Sequence, residues 1–244
     1  YRNLGDGRFE DVFPSSGIDV KGWIKGVTAG DYDGDGRSDL YVSRYGRPNL
    51  LLRNLGDFEF ADVAETVGVE SPVVSFATWF WDYDNDGHLD LMVLGFPYPE
   101  FEFPDEGPIE LRFDASAEIR ELVGGDRRGD ARGRSRLFRN RGDGRFEDVT
   151  RAVGLDPIMS VMGANFGDVD GDGALDVLLG TGAPQMDYLV PNRLFMQREG
   201  VFVDATEPLR AGHLQKGHGV AFGDWDGDGD QDIYAVMGGG HRGD

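Results

Sequence analysis

Cysteine is absent from the 244 residues of this sequence, which excludes disulfide bonds, thiolate metal sites, iron–sulfur clusters and cysteine nucleophiles. Long apolar runs are absent too, and without about 18 consecutive apolar residues a membrane-spanning helix is excluded. Histidine is scarce, with four residues in all. The sequence has no His-x-x-x-His pair, no Gly-x-Ser-x-Gly motif and no phosphate-binding glycine loop, so we predict no catalytic residue.

Positively charged residues are also few. Lysine and arginine together number 24 against 45 aspartates and glutamates, and the formal net charge is −21. This balance opposes nucleic-acid binding and favours the binding of cations. The chain is rich in glycine, with 38 residues, yet 39% of it is hydrophobic, so a packed fold with many turns is expected.

The acidic residues concentrate in four segments that share the pattern Asp-x-Asp-x-Asp-Gly-x-x-Asp. Carboxylates this close repel one another unless a cation lies among them, and calcium takes 6–8 oxygen ligands in such loops. We therefore predict about four Ca²⁺ ions, one per loop, held by the carboxylates at positions 1, 3, 5 and 9 and by the backbone carbonyl at position 7. The predicted ligands are Asp31, Asp33, Asp35, Arg37 and Asp39; Asp82, Asp84, Asp86, His88 and Asp90; Asp168, Asp170, Asp172, Ala174 and Asp176; and Asp224, Asp226, Asp228, Asp230 and Asp232.

These loops differ from the EF-hand, which places a glutamate at position 12. Position 12 is here Val42, Val93, Leu179 or Ala235, none of which has a ligating side chain. The residues after each loop form short apolar runs typical of strands. The loops are therefore predicted to join strands, and the alternative is that they are only acidic turns, since Asp-Gly favours turns.

The loops belong to a longer repeat. A phenylalanine precedes each loop by 22 residues, at Phe9, Phe60, Phe146 and Phe202, and a turn precedes that phenylalanine. The first complete unit reads as four strands at about 26–31, 39–44, 49–54 and 58–64. Repeats of this length with four antiparallel strands are typical of β-propeller blades.

The predicted fold is therefore all-β, a single β-propeller domain over residues 1–244. It has three full blades and two half-blades, the latter at residues 1–12 and 218–238. Either the two half-blades join to close a four-bladed ring, or the chain is a slice of a larger ring.

The sequence resembles the FG-GAP/VCBS repeat proteins, whose calcium loops also occur in integrin alpha subunits. The elements that give the family its name are present as Phe166-Gly167, Phe222-Gly223 and Gly182-Ala183-Pro184. The segment from Gly219 onward is similar to the ASPIC/UnbV group, the cartilage acidic protein-like members. The resemblance implies calcium binding, a secreted or periplasmic location, and protein or glycan partners. Because the chain opens on Tyr1, we expect any signal segment to lie upstream.

One stretch interrupts the repeat. The distance from Asp90 to Phe146 is about 35 residues longer than its counterpart in the first unit, which marks an insertion at 96–135. It begins with aromatic and acidic residues, including Phe96, and ends with arginines; residues 114–123 are predicted to form a short helix. Insertions in repeat proteins often bind partners, so a protein or glycan partner is expected here, and an ordered decoration is the alternative.

Arg-Gly-Asp occurs at 128–130, 141–143 and 242–244. The copy at 141–143 is expected to be a hairpin turn rather than an adhesion ligand, because it falls in the recurring turn of the repeat. We interpret the chain as a calcium-binding extracellular module for binding, adhesion or interaction. A glycan-acting hydrolase or lyase with an axial site, and a structural subunit of an extracellular assembly, remain the alternatives. The sequence does not predict an oligomeric state.

Overall fold

The computed structural model describes residues 1–96, 133–155, 159–182, 190–214 and 216–238. Most of the insertion lies outside these residues, as does the predicted helix at 114–123. The Arg-Gly-Asp tripeptides at 128–130 and 242–244 and the Ala183-Pro184 pair also lie outside them. No helix among the described residues is long and apolar enough to span a membrane.

The described residues form sixteen β-strands, a 3₁₀ turn at Phe13–Ser15 and one short helix, α1, at Ala64–Val67. The strands are β1 Arg2–Asn3, β2 Phe9–Glu10, β3 Trp23–Gly30, β4 Asp39–Tyr45, β5 Leu50–Gly56, β6 Glu59–Asp62, β7 Ser75–Trp81, β8 Asp90–Gly95, β9 Arg136–Asn140, β10 Phe146–Asp148, β11 Val161–Gly167, β12 Asp176–Thr181, β13 Arg193–Arg198, β14 Val201–Asp204, β15 Lys216–Gly223 and β16 Asp232–Gly238.

Twelve of these strands form three antiparallel four-stranded sheets, β3–β6, β7–β10 and β11–β14, with neighbours in chain order. These sheets confirm the three predicted blades, and the first blade matches the predicted strands to within about three residues. The remaining strands form two separate two-stranded sheets, β1–β2 and β15–β16, which are the two half-blades. Since these sheets do not pair with each other, the closed four-bladed ring does not occur among the described strands.

The first strands of successive blades pack side by side, β3 against β7, β7 against β11 and β11 against β15. Glycine makes this approach possible between β3 and β7 and between β11 and β15. A Cβ at Gly26 would lie 2.8 Å from the carbonyl oxygen of Phe76, and one at Gly163 would collide with the carbonyl oxygen of His218. The second strands of the three complete blades are mostly buried on both faces, and Leu91 is fully buried; β16, the second strand of the last half-blade, is more exposed.

Trp81 departs from the repeat and has a structural role. The other three loops have glycine at this place, and at Gly30 a Cβ would lie 2.8 Å from the ring of Phe80 in the next blade. Trp81 instead fills the space between the second and third blades. Its ring centroid lies 5.1 Å from that of Phe166 and 6.0 Å from that of Phe202.

Candidate metal centres

Each aspartate-rich loop joins the first strand of a blade to the second, namely β3 to β4, β7 to β8, β11 to β12 and β15 to β16. Because these strands hold the same place in every blade, all four loops lie at the same end of their blades. The repeat thus places four similar carboxylate groups in equivalent positions along the chain of blades.

The aspartate at position 1 organises each loop. In the first loop, the backbone N–H of Asp35 donates to Asp31 Oδ1 at 3.0 Å and that of Gly36 donates to Asp31 Oδ2 at 2.8 Å. The same two bonds recur in the other three loops. Position 6 has a left-handed backbone, with φ of +86° at Gly36, which is why glycine stands there.

The structure brings three carboxylates together in every loop, each contributing one oxygen, with these oxygens within 4.8 Å of one another. Positions 1 and 3 take part in all four loops; the third member is position 9 in the first, third and fourth loops and position 5 in the second. The groups are Asp31, Asp33 and Asp39; Asp82, Asp84 and Asp86; Asp168, Asp170 and Asp176; and Asp224, Asp226 and Asp232.

The fourth predicted carboxylate of each loop, Asp35, Asp90, Asp172 or Asp228, is outside its group. Position 7 acts through its backbone N–H. Arg37, His88, Ala174 and Asp230 each donate to the position-5 carboxylate. Ligation through the carbonyls of these four residues stays a prediction.

Position 9 has a second role that the sequence analysis missed. Asp90 is fully buried and accepts two backbone N–H bonds, from Tyr83 at 3.1 Å and from Asn140 on the third strand at 2.8 Å. Burial raises the pKa of Asp90 to about 7, although the N–H donors of Asn140 and Tyr83 oppose that rise. Asp39 and Asp176 are buried and bonded in the same way, and burial raises the pKa of each.

The third strand also connects successive loops. The side-chain amide of Asn140 donates to the carbonyl of Tyr32 in the preceding loop at 2.7 Å. Gln197 makes the equivalent bond to Tyr83 at 2.7 Å. The first and second loops are therefore each hydrogen-bonded to the third strand of the following blade.

An arginine of the third strand pairs with positions 3 and 5 in each complete blade. Arg139 Nε lies 2.8 Å from Asp84 Oδ2, and its Nη2 lies 3.0 Å from Asp86 Oδ2. The hydrogen bond to Asp86 raises the pKa of Arg139. The equivalent pairs are Arg53 with Asp33 at 2.7 Å and with Asp35 at 3.8 Å, and Arg198 with Asp170 and with Asp172 at 3.1 Å.

The donor set of these groups suits calcium. All the converging side-chain atoms are carboxylate oxygens, which hard cations such as Ca²⁺ prefer. In the second loop, Asp84 Oδ1 is buried and has no hydrogen-bond partner in the part of the chain that the structure describes. A buried carboxylate oxygen without a partner is costly, and a bound cation would satisfy it.

Comparison with known proteins identifies the repeat. A family model described as FG-GAP-like repeat matches residues 1–42, 31–93 and 119–179. Cartilage acidic protein 1 of Homo sapiens is 26% identical over 203 residues, which cover 70% of this chain and 30% of that protein. The Xenopus tropicalis protein is 26% identical over 206 residues, covering 82% and 27%. This chain thus spans less than a third of the length of the curated relatives it matches.

Among solved structures, a lectin of Agrocybe aegerita that recognises non-reducing terminal N-acetylglucosamine is 17% identical, and the match covers 85% of this chain and 60% of the lectin. Its TM-score of 0.28 is too low to support an argument about fold or ligand. The family assignment rests on the repeats themselves. Since they extend over more than half of the residues, the chain belongs to the FG-GAP-like repeat family.

Proposed function

We propose that this chain is part of a calcium-binding extracellular β-propeller that acts as an interaction module. The observation that carries the proposal is the recurrence of one carboxylate group at the same end of successive blades. Membership of the FG-GAP-like repeat family and the similarity to cartilage acidic protein 1 support an extracellular location.

The residues that would hold each ion are the aspartates at positions 1 and 3, joined by those at positions 5 and 9. The carbonyl at position 7 is the further protein ligand that we expect. When bound, calcium would neutralise the mutual repulsion of these carboxylates and cross-link the loop. The chain itself supplies the framework, because its backbone N–H groups already orient the carboxylates of positions 1, 5 and 9.

The expected affinity supports a place outside the cytoplasm. Without a bidentate glutamate at position 12, the loops should bind calcium with a Kd of about 10⁻⁴–10⁻³ M, the range of extracellular calcium modules. Extracellular calcium reaches this range, whereas resting cytosolic calcium would leave such sites largely empty.

The first test of the calcium proposal is Asp84→Asn. We expect this change to remove one bound calcium per chain and to leave the other three sites within about twofold of their wild-type affinity, because each loop is local. Calcium would be counted by calorimetric titration and by metal analysis after dialysis. Asp143→Asn is the control, since Asp143 lies in the exposed hairpin turn of the same blade. Wild-type protein without bound calcium, or with zinc in its place, would refute the proposal.

The insertion is the surface that we propose for a partner, a protein or a glycan. Its two ends meet within the second blade, where the backbone N–H of Gly95 donates to Ser135 Oγ at 3.0 Å. Phe96, expected from the sequence as an apolar contact for a partner, is instead 4% exposed and stacks on Phe76 at 4.6 Å. That expectation was wrong for Phe96, because Phe96 belongs to the core beside Tyr45.

Deleting residues 98–132 tests this surface. Because β8 and β9 pair directly and their ends are hydrogen-bonded, we expect the shortened chain to fold, to keep its bound calcium and to melt within about 3 °C of wild type. Partner capture would be compared on a glycan array and against immobilised extracellular-matrix proteins, with Asp84→Asn as a control that retains the insertion. Capture that survives the deletion would locate the contact on the blades.

A further inference from the structure

We infer that Arg53, Arg139 and Arg198 are built-in counter-charges that lower the calcium affinity of the first three loops. When calcium is scarce, the same arginines hold the carboxylates of positions 3 and 5 together. The inference rests on the calcium binding proposed above. It assigns a tuning role to residues of the third strand, which lies outside the Asp-x-Asp-x-Asp-Gly-x-x-Asp pattern.

In the second loop, the guanidinium and the ion would address different oxygens of Asp84. Arg139 contacts Oδ2 of Asp84, whereas the buried Oδ1 of Asp84 has no hydrogen-bond partner among the described residues. In Asp86, Oδ1 accepts the N–H of His88 and Oδ2 accepts from Arg139, so both oxygens are engaged by the chain. Arg139 therefore takes part of the negative charge that a cation in this loop would need.

The arrangement recurs although the sequence order changes. Arg53 and Arg139 each precede the asparagine whose N–H reaches position 9, whereas Arg198 follows the corresponding Gln197. Two different places on the third strand thus bring a guanidinium to the same pair of carboxylates. The two places differ by two residues, and residues i and i+2 of a strand point to the same face of the sheet, so both present the guanidinium on the same side.

Coulomb attraction and repulsion set the expected size of the effect. A unit positive charge about 6 Å from a divalent ion, in surroundings nearly as polar as water, weakens binding by about tenfold. The arginine side chains are 43–47% exposed, so salt should screen a large part of this effect. The fourth loop is an internal reference, because no arginine of the described residues pairs with its Asp226 or Asp228.

Arg139→Gln tests the inference, since glutamine removes the charge but retains much of the side chain's length. Calcium titrations would be followed by NMR through the Gly87 amide of the second loop and the Gly229 amide of the fourth. We expect the calcium concentration at half-saturation, read from Gly87, to fall about tenfold relative to wild type at low salt and to change less in 0.5 M KCl. The same concentration read from Gly229 should stay within about twofold of wild type. Arg139→Lys restores the charge and should stay within about threefold of wild type.

Arg145→Gln is the matched control, because Arg145 is an exposed arginine of the same blade that forms no ion pair among the described residues. With calcium removed by a chelator, Arg139→Gln should melt below this control, since Asp84 and Asp86 then lack their counter-charge. A half-saturation concentration read from Gly87 that is unchanged or raised, where the wild-type protein binds calcium, would overturn the inference. Wild-type protein that binds no calcium would overturn the proposed function, and this inference with it.

Discussion

Removing calcium should lower the melting temperature of this chain by at least about 10 °C. The four loops concentrate sixteen carboxylates, and four Ca²⁺ ions would add eight positive charges to a chain whose formal net charge is −21. A ligand that binds only the folded state stabilises it by about 2.7 kcal/mol per site at a hundredfold excess over Kd. For a domain of this size, each kcal/mol shifts the melting temperature by about 2–4 °C.

The measurement is differential scanning calorimetry in 10 mM CaCl₂ and in EGTA, at equal ionic strength. Even if the excess over Kd is only tenfold, four sites together contribute about 5 kcal/mol, which gives the lower bound of about 10 °C. Magnesium at the same concentration is the control for general charge screening, and it should recover only a small part of the shift because it is reluctant to leave its octahedral water shell. Equal melting in calcium and in EGTA would show that the loops are acidic turns without a structural ion.

The parts of the fold that were predicted from the sequence are those that depend on short local patterns of residues. The Asp-Gly spacing, the apolar runs and the recurring phenylalanine each lie within one strand or one turn. They therefore predicted the first blade closely, from Trp23–Gly30 to Glu59–Asp62. The last of these strands ends earlier than the predicted residue 64, because the chain turns at Asp62, whose Oδ1 accepts the N–H of Ala64, and helix α1 begins at Ala64. A helix of four residues has too little periodicity to be seen in the sequence.

The missed features depend on residues that are distant in the chain. The hydrogen bond from the backbone N–H of Asn140 to Asp90 joins residues 50 positions apart, and the hydrogen bond from its side-chain amide to Tyr32 joins residues 108 apart. No spacing rule within a loop predicts such partners. One signal was available for the arginines, because Arg-Asn precedes the hairpin turn at Arg2-Asn3, at Arg53-Asn54 and at Arg139-Asn140.

Asp90→Ala should cost far more stability than the same change at the equivalent position of the fourth loop. In chelator, we expect Asp90→Ala to lower the free energy of unfolding by about 2–4 kcal/mol, because it leaves the buried N–H groups of Tyr83 and Asn140 without an acceptor. The estimate allows for the relief of removing a carboxylate whose pKa burial raises to about 7. The measurement is urea unfolding followed by tryptophan fluorescence in EGTA.

Asp232→Ala is the matched control, because Asp232 holds position 9 of the fourth loop but is exposed. Among the described residues, its carboxylate accepts one backbone N–H bond, from Trp225 at 3.2 Å. We expect a loss below about 1 kcal/mol in EGTA, as for most exposed positions. With calcium present, both variants should also lose the stabilisation from one ion. The difference between them in EGTA therefore isolates the bonds from Asp90 to the third strand, and equal losses there would leave Asp90 with metal ligation as its role.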